Sequence, residues 1–253
     1  MAGTNKIVKV SLSDQVSEHL RQMISDNEFP VGSKLPSESE LANMFGVSRL
    51  TVRMALQKLS AQGLTVTRPG DGTFVKKFNI AAYMDEVSSI VMKPEMLDDV
   101  LEFRLCIEGE AAKLAMDRIT PEDLRRMELL SSKMSGFVYD YEHPKSFNLN
   151  EYVELDFKFH LALCKCSHNS LLVLAYSAAK APVCAYLSSI NTIRVKQYQD
   201  THPTVQTVSI EKITVNNGHA DLLQALKNRD IETCGKVFQR LASYSIPLNE
   251  ALS

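Results

Sequence analysis

Leu35-Pro36-Ser37-Glu38-Ser39-Glu40-Leu41-Ala42, then Phe45-Gly46-Val47-Ser48-Arg49 and Thr51-Val52-Arg53, is the stretch on which the reading of this chain turns. Ser37 stands where it can cap a helix, and Glu40 three residues on completes a capping box. Leu41 and Phe45 give that helix a buried side, and Gly46 permits the turn after it. Ser48 caps the next helix, which turns Val52, Leu56 and Leu59 inward. Two short helices across a tight turn, with arginines at the start of the second, present a helix N-terminus to the DNA major groove.

Working outward, Leu12, Val16, Leu20 and Ile24 recur every four residues and predict a helix over about residues 12–27, ended by Pro30-Val31-Gly32. Beyond Gly63, Leu64-Thr65-Val66-Thr67 and Thr73-Phe74-Val75 flank Pro69-Gly70-Asp71-Gly72, a β-hairpin by composition. Three helices and a hairpin make residues 1–78 a winged helix-turn-helix. Residues 79–94 are expected to form a linker.

The remainder, 95–253, is expected to be an antiparallel helical bundle, so the fold class is mainly α. It holds only four of the ten glycines, too few turn formers for a sheet-rich domain. The expected helices run over about 95–117, from Thr120-Pro121-Glu122-Asp123, over 150–166, over 170–197 with a kink near Pro182, over 208–227 and over 230–248. At Thr120 a capping threonine, a proline at the first position and two acids facing the dipole's positive end mark a helix start.

With 253 residues the chain has room for two domains. The net charge of −2 hides an asymmetry: residues 1–78 hold 10 Lys and Arg against 7 Asp and Glu, whereas 79–253 hold 18 against 23. A basic head on an acidic body suits nucleic-acid binding by the head alone. No apolar run reaches the roughly 20 residues of a membrane span, and the first residues carry no secretory apolar block. A cytoplasmic protein is expected. The five cysteines (106, 164, 166, 184 and 234) include no Cys-x-x-Cys pair and are expected to be buried apolar residues.

Residues 10–76 resemble the winged-helix domain of the GntR family, through Leu35–Ala42, Gly46–Leu56 and Gly70–Val75. The body resembles the FCD effector domain of the FadR subfamily. Arg104, Glu108, Ala111 and Ala112 carry that likeness, with Asp156-Phe157-Lys158-Phe159-His160-Leu161-Ala162-Leu163, His168–Leu172 and His219–Asp230. The resemblance implies a homodimeric regulator that binds an inverted-repeat operator in double-stranded DNA, most often as a repressor. It also implies control by a small organic acid: a sugar acid, a hydroxy acid or a dicarboxylate.

The residues give this a physical basis. Arg49 and Arg53, four apart, send two guanidinium forks from one helix face toward the groove. Thr51 can bond a phosphate or a base edge, and the backbone N–H groups at Ser48 can receive a phosphate. Ser37, Ser39 and Lys34 stand beside this helix pair, with Lys34 a phosphate contact. Gly70 lets the hairpin tip approach the minor groove, flanked by Arg68. The family commonly has arginine where this chain has Ser39, and a basic residue where it has Asp71.

In the body, Asp156 and His160 lie one helical turn apart and can share a divalent metal such as zinc, nickel or manganese. The resemblance makes His219 the next ligand. It also expects a third histidine about 22 residues on, where Leu241 stands. Arg104 would clamp an effector carboxylate, with Arg194 a second candidate and Arg240 a possible substitute for the metal's charge. Asp156 and His160 could instead be a plain hydrogen-bonded pair. A metal sensor, or a metal-dependent enzyme with a DNA-binding head, are the other readings. Against an enzyme, no nucleophile, phosphate loop or paired acid–base carboxylates stand out.

Overall fold

The computed structural model describes residues 10–84, 97–214 and 218–243. They fall into two compact units, divided after Asn79. The expected linker lies largely outside the described residues.

In the first unit, α1 (Leu12–Ser25), α2 (Glu38–Phe45) and α3 (Arg49–Ala61) precede the hairpin β1 (Thr65–Arg68) and β2 (Gly72–Val75). The capping box forms: Glu40 N donates to Ser37 Oγ at 3.3 Å and Ser37 N to Glu40 Oε2 at 2.7 Å. Gly46 ends α2 in the left-handed region, with φ +64°. Thr51 N donates to Ser48 Oγ at 3.1 Å and starts α3. Leu20, Leu41, Val52, Ala55 and Leu59 are fully buried and hold the three helices together. Leu12, expected in the apolar stripe, is 58% exposed, because at the first position of α1 it lies beyond the reach of that core. In the hairpin Thr65 pairs with Val75 and Arg68 with Gly72. Its tip turns through Gly70 at φ +78° and Gly72 at φ +117°, where a side chain would be strained. The unit is a winged helix-turn-helix.

The second unit is helical: α4 (Leu97–Arg118), α5 (Pro121–Ser135), α6 (Leu149–Cys166), α7 (Ser170–Ala178), α8 (Lys180–Thr201), α9 (Ile210–Thr214), α10 (Gly218–Asn228) and α11 (Ile231–Ser243). Ala111, Ala112 and Ala115 give α4 a smooth buried face, and α4 packs on α6 and α11. Tyr152, Phe159 and Leu163 of α6, fully buried, occupy the centre with Met127 and Met134 of α5. No single helix among the described residues is long and apolar enough to cross a membrane.

At α5 the cap is complete: Asp123 N donates to Thr120 Oγ1 at 3.2 Å and Thr120 N to Asp123 Oδ2 at 3.1 Å, with Pro121 at the first position. Thr120→Ala is expected to cost about 1 kcal/mol, measurable as a lower denaturation midpoint with an unchanged slope.

The structure differs from the sequence expectation in four places. The helix expected over 170–197 is two helices, α7 and α8, meeting at 60°. The break falls at Ala179, ahead of Pro182, because a proline in the first turn of a helix gives up no hydrogen bond. The helix expected over 208–227 begins instead as a strand, β4 (Thr207–Ser209). It pairs antiparallel with β3 (Val138–Asp140), Tyr139 opposite Val208, and only then come α9 and α10. The helix expected from Asn150 starts at Leu149, because Asn148 is its cap, accepting from Glu151 N at 3.2 Å. Among the cysteines, Cys164, Cys166 and Cys234 are buried, but Cys184 is half-buried and Cys106 is exposed. The last helix reaches Ser243; residues 244–248 of the expected span lie outside the described residues.

Candidate functional site

The exposed face of α3 begins with Arg49, whose side chain makes no ion pair or hydrogen bond among the described residues. Arg53 is different. It is bound bidentately by Glu38 of α2, Nε to Oε1 at 2.9 Å and a terminal nitrogen to Oε2 at 2.7 Å. That hydrogen bonding to Arg53 lowers the Glu38 pKa, so the pair is ionic at neutral pH. The two forks expected to act together are therefore unequal, one loose and one held.

The hydroxyls near them are structural. Ser37 and Ser48 cap helices, and Thr51 Oγ1 lies 2.8 Å from Ser48 Oγ. Ser39 is half-buried on α2. At the wing, Asp71 draws two cations to the tip, Lys34 Nζ at 3.8 Å and Arg68 at 4.0 Å. Arg68 also lies over the Phe74 ring, 4.7 Å from its centroid. Asp71, Lys34 and Arg68 are all exposed, so these long contacts leave both cations accessible beside Gly70.

In the helical unit, α4, α6, α8 and α10 enclose a narrow cavity. Asp156 and His160 reach it from successive turns of α6, and His219 from the first turn of α10. All three are at least 96% buried. His160 Nε2 stands 3.3 Å from His219 Nε2 and 3.7 Å from Asp156 Oδ1; His219 Nε2 stands 3.4 Å from Asp156 Oδ2. A tetrahedral ion with bonds of roughly 2.0–2.2 Å sets its ligand atoms about 3.3–3.6 Å apart. Asp156 Oδ1 is buried without a hydrogen bond, which a bound cation would relieve. The donor set and its spacing fit a divalent metal.

Charge is concentrated around this group. Arg104 Nε donates to Glu108 Oε1 at 2.7 Å, and an Arg104 terminal nitrogen lies 3.7 Å from Asp156 Oδ1. Tyr176 OH donates to Glu108 Oε1 at 2.8 Å. Glu108 Oε2 lies 2.8 Å from His160 Nδ1, within bonding distance but off the ring N–H direction, since that nitrogen has no aligned partner. Burial opposes ionisation of Glu108, yet Arg104 and His160 outweigh it and lower its pKa to about 2. Burial likewise opposes ionisation of Asp156, but His219, His160 and Arg104 hold its carboxyl well below the usual range.

Arg194 of α8 lines the same cavity, and burial pulls its pKa below the usual value. Arg240 does not join them. It sits on α11, 37% exposed, with its guanidinium on Asp221 Oδ2 at 2.5 Å. Three further residues belong to the cavity or its wall: Glu108, Tyr176 and Asn191. Glu108 lies four residues after Arg104, so one helix face already joined them in the sequence. Asn191 lies three before Arg194 and carried the same signal.

The family profile described as "Bacterial regulatory proteins, gntR family" matches residues 12–75, and the FCD domain profile matches residues 99–243. A relative in Escherichia coli (strain K12), provisionally described as an L-lactate dehydrogenase operon regulatory protein, is 32% identical over 169 residues. That alignment covers 64% of this chain and 61% of the relative, so the chain spans about three fifths of that relative's length. The Glc operon transcriptional activator of the same strain is 28% identical over 256 residues, covering 96% of this chain and 97% of its own. The structure of Streptococcus agalactiae GntR shares the fold, with a TM-score of 0.64 at 22% identity, over 91% of this chain and 97% of that one. This chain belongs to the GntR family of bacterial regulatory proteins, in the FadR-like branch whose second domain is FCD.

Proposed function

We propose that this protein is a transcription regulator that binds an inverted-repeat operator as a two-fold homodimer, and that a small organic acid held on a divalent metal in the FCD domain weakens that binding. The observation that carries the reading is the convergence of Asp156, His160 and His219 in the cavity that Arg104 and Arg194 also line.

Charge supports it. Arg104 and Arg194 face Glu108 and Asp156 across the cavity. A divalent ion held by neutral imidazoles would add two positive charges there and favour entry of a carboxylate. The metal, when bound, offers open positions to oxygen donors. Arg104, fixed by Glu108, turns its remaining N–H groups to a carboxylate. The lactate-operon relative favours a hydroxy acid among the acids that would fit. Within the head, Arg49 reads base edges, Arg53 and Glu38 set the angle of α3 against α2, and Lys34, Arg68 and Gly70 serve the backbone and minor groove. Two heads related by two-fold symmetry match an inverted repeat.

The test is a thermal-shift screen of sugar acids, hydroxy acids and dicarboxylates, with zinc, nickel or manganese and after chelation. A stabilising acid whose effect needs the metal, and which shifts DNA affinity, supports the reading. His160→Ala is expected to lower metal content at least tenfold and abolish the acid's effect; unchanged metal stoichiometry in that variant would count against the site. A second reading has support from the cavity's free space, about 20 Å³, the volume of one water or ion. In that reading the metal itself is the signal, and DNA affinity responds to metal with every acid inert.

A further inference from the structure

Asn191 is neither a metal-ligand candidate nor a charged group of the cavity. It is 2% exposed, on α8, one turn before Arg194. It lines the metal cavity, and its side-chain Nδ2 has no hydrogen-bond partner. A buried amide donor left unpaired is costly, and such groups are rare in native proteins. Around the same cavity stand the imidazoles of His160 and His219, already assigned to the metal, and the guanidiniums of Arg104 and Arg194. Guanidiniums are matched to charged oxygens. A neutral amide is the donor suited to an uncharged one.

We infer that Asn191 determines effector specificity by donating its amide N–H to the uncharged oxygen next to the effector's carboxylate. This deepens the proposed function and rests on it. The ligand class that follows is a 2-hydroxy or 2-oxo monocarboxylate. Its carboxylate would face the arginines and its second oxygen Asn191. An acid lacking the second oxygen leaves Nδ2 buried and unpaired, and sites of this kind reject such analogues strongly.

The experiment is calorimetric titration of the full-length, zinc-loaded protein with 2-hydroxypropanoate and with propanoate. It compares wild type with Asn191→Leu and with the smaller Asn191→Ala, which cannot clash. Zinc content and melting temperature are read in parallel. The expected result is a loss of about 10–100-fold in 2-hydroxypropanoate affinity in both variants, a change of less than threefold for propanoate, and unchanged zinc stoichiometry. Equal losses for the two acids, or loss of zinc, would make Asn191 a structural residue and overturn the inference. Wild type that binds 2-hydroxypropanoate with both variants unaffected would overturn it while leaving the acid-effector reading standing. Wild type that binds neither acid, nor their 2-oxo counterpart, would overturn both.

Discussion

Arg49→Ala is expected to cut the preference for operator over random duplex by roughly 30-fold to 10⁴-fold while leaving the protein folded. Arg49 occupies the first position of α3, is exposed, and commits its guanidinium to no partner among the described residues. A bidentate arginine–guanine contact carries about 1–3 kcal/mol of discrimination, so a two-fold dimer loses about 2–6 kcal/mol, roughly 30-fold to 10⁴-fold. Stability should move by less than about 0.5 kcal/mol, the ordinary range for an exposed side chain. Affinity for random duplex falls little, because Lys34 and Arg68 remain. Arg53→Ala should cost less specificity, since Arg53 is already bound by Glu38. A footprint unchanged by Arg49→Ala would refute the assignment of α3 as the reading helix.

Glu108→Ala is expected to destabilise the helical unit by about 3–5 kcal/mol, the cost of stranding a buried charge. Glu108 is 1% exposed and is the main partner of Arg104, itself 6% exposed; it also accepts from the Tyr176 hydroxyl. The chain has no tryptophan, so urea unfolding is followed by circular dichroism or by its eight tyrosines. Glu108→Gln keeps the shape without the charge and should fall between wild type and alanine. Because Glu108 also faces His160 Nδ1, both variants should bind metal about 10–100-fold more weakly. A Glu108→Ala protein within 0.5 kcal/mol of wild type would show that the buried charges do not depend on one another as described.

The parts of this molecule that were legible in sequence are those written within one turn of a helix or hairpin. Ser37 with Glu40, and Thr120 with Asp123, are i to i+3 signals, and each is a capping box. Asp156 and His160 are i to i+4 on one face and do converge. The parts that were not legible depend on distant partners. The three-residue strand at Val138 finds its mate at Ser209, and neither is long enough to show alternation. Glu38 captures Arg53 from fifteen residues away. Tyr176 reaches Glu108 from α7. That His219 faces α6 came from family resemblance, since periodicity shows which face of a helix is apolar and not which helix it meets. Pro182 marks a helix interruption in the sequence, but a proline opens a helix as easily as it bends one, and here it lies in the first turn of α8.

The most direct test of the account is quantitative binding of the full chain to DNA from upstream of its own gene, against random duplex of equal length. It is run with the metal, with metal plus a 2-hydroxy acid, and after chelation. A preference of at least about 10³ for the upstream fragment is expected. The acid should weaken that binding by roughly 5–150-fold, an ordinary coupling of about 1–3 kcal/mol, and only while the metal is present. Equal affinity for both duplexes in every one of these states, across ionic strengths, would contradict it.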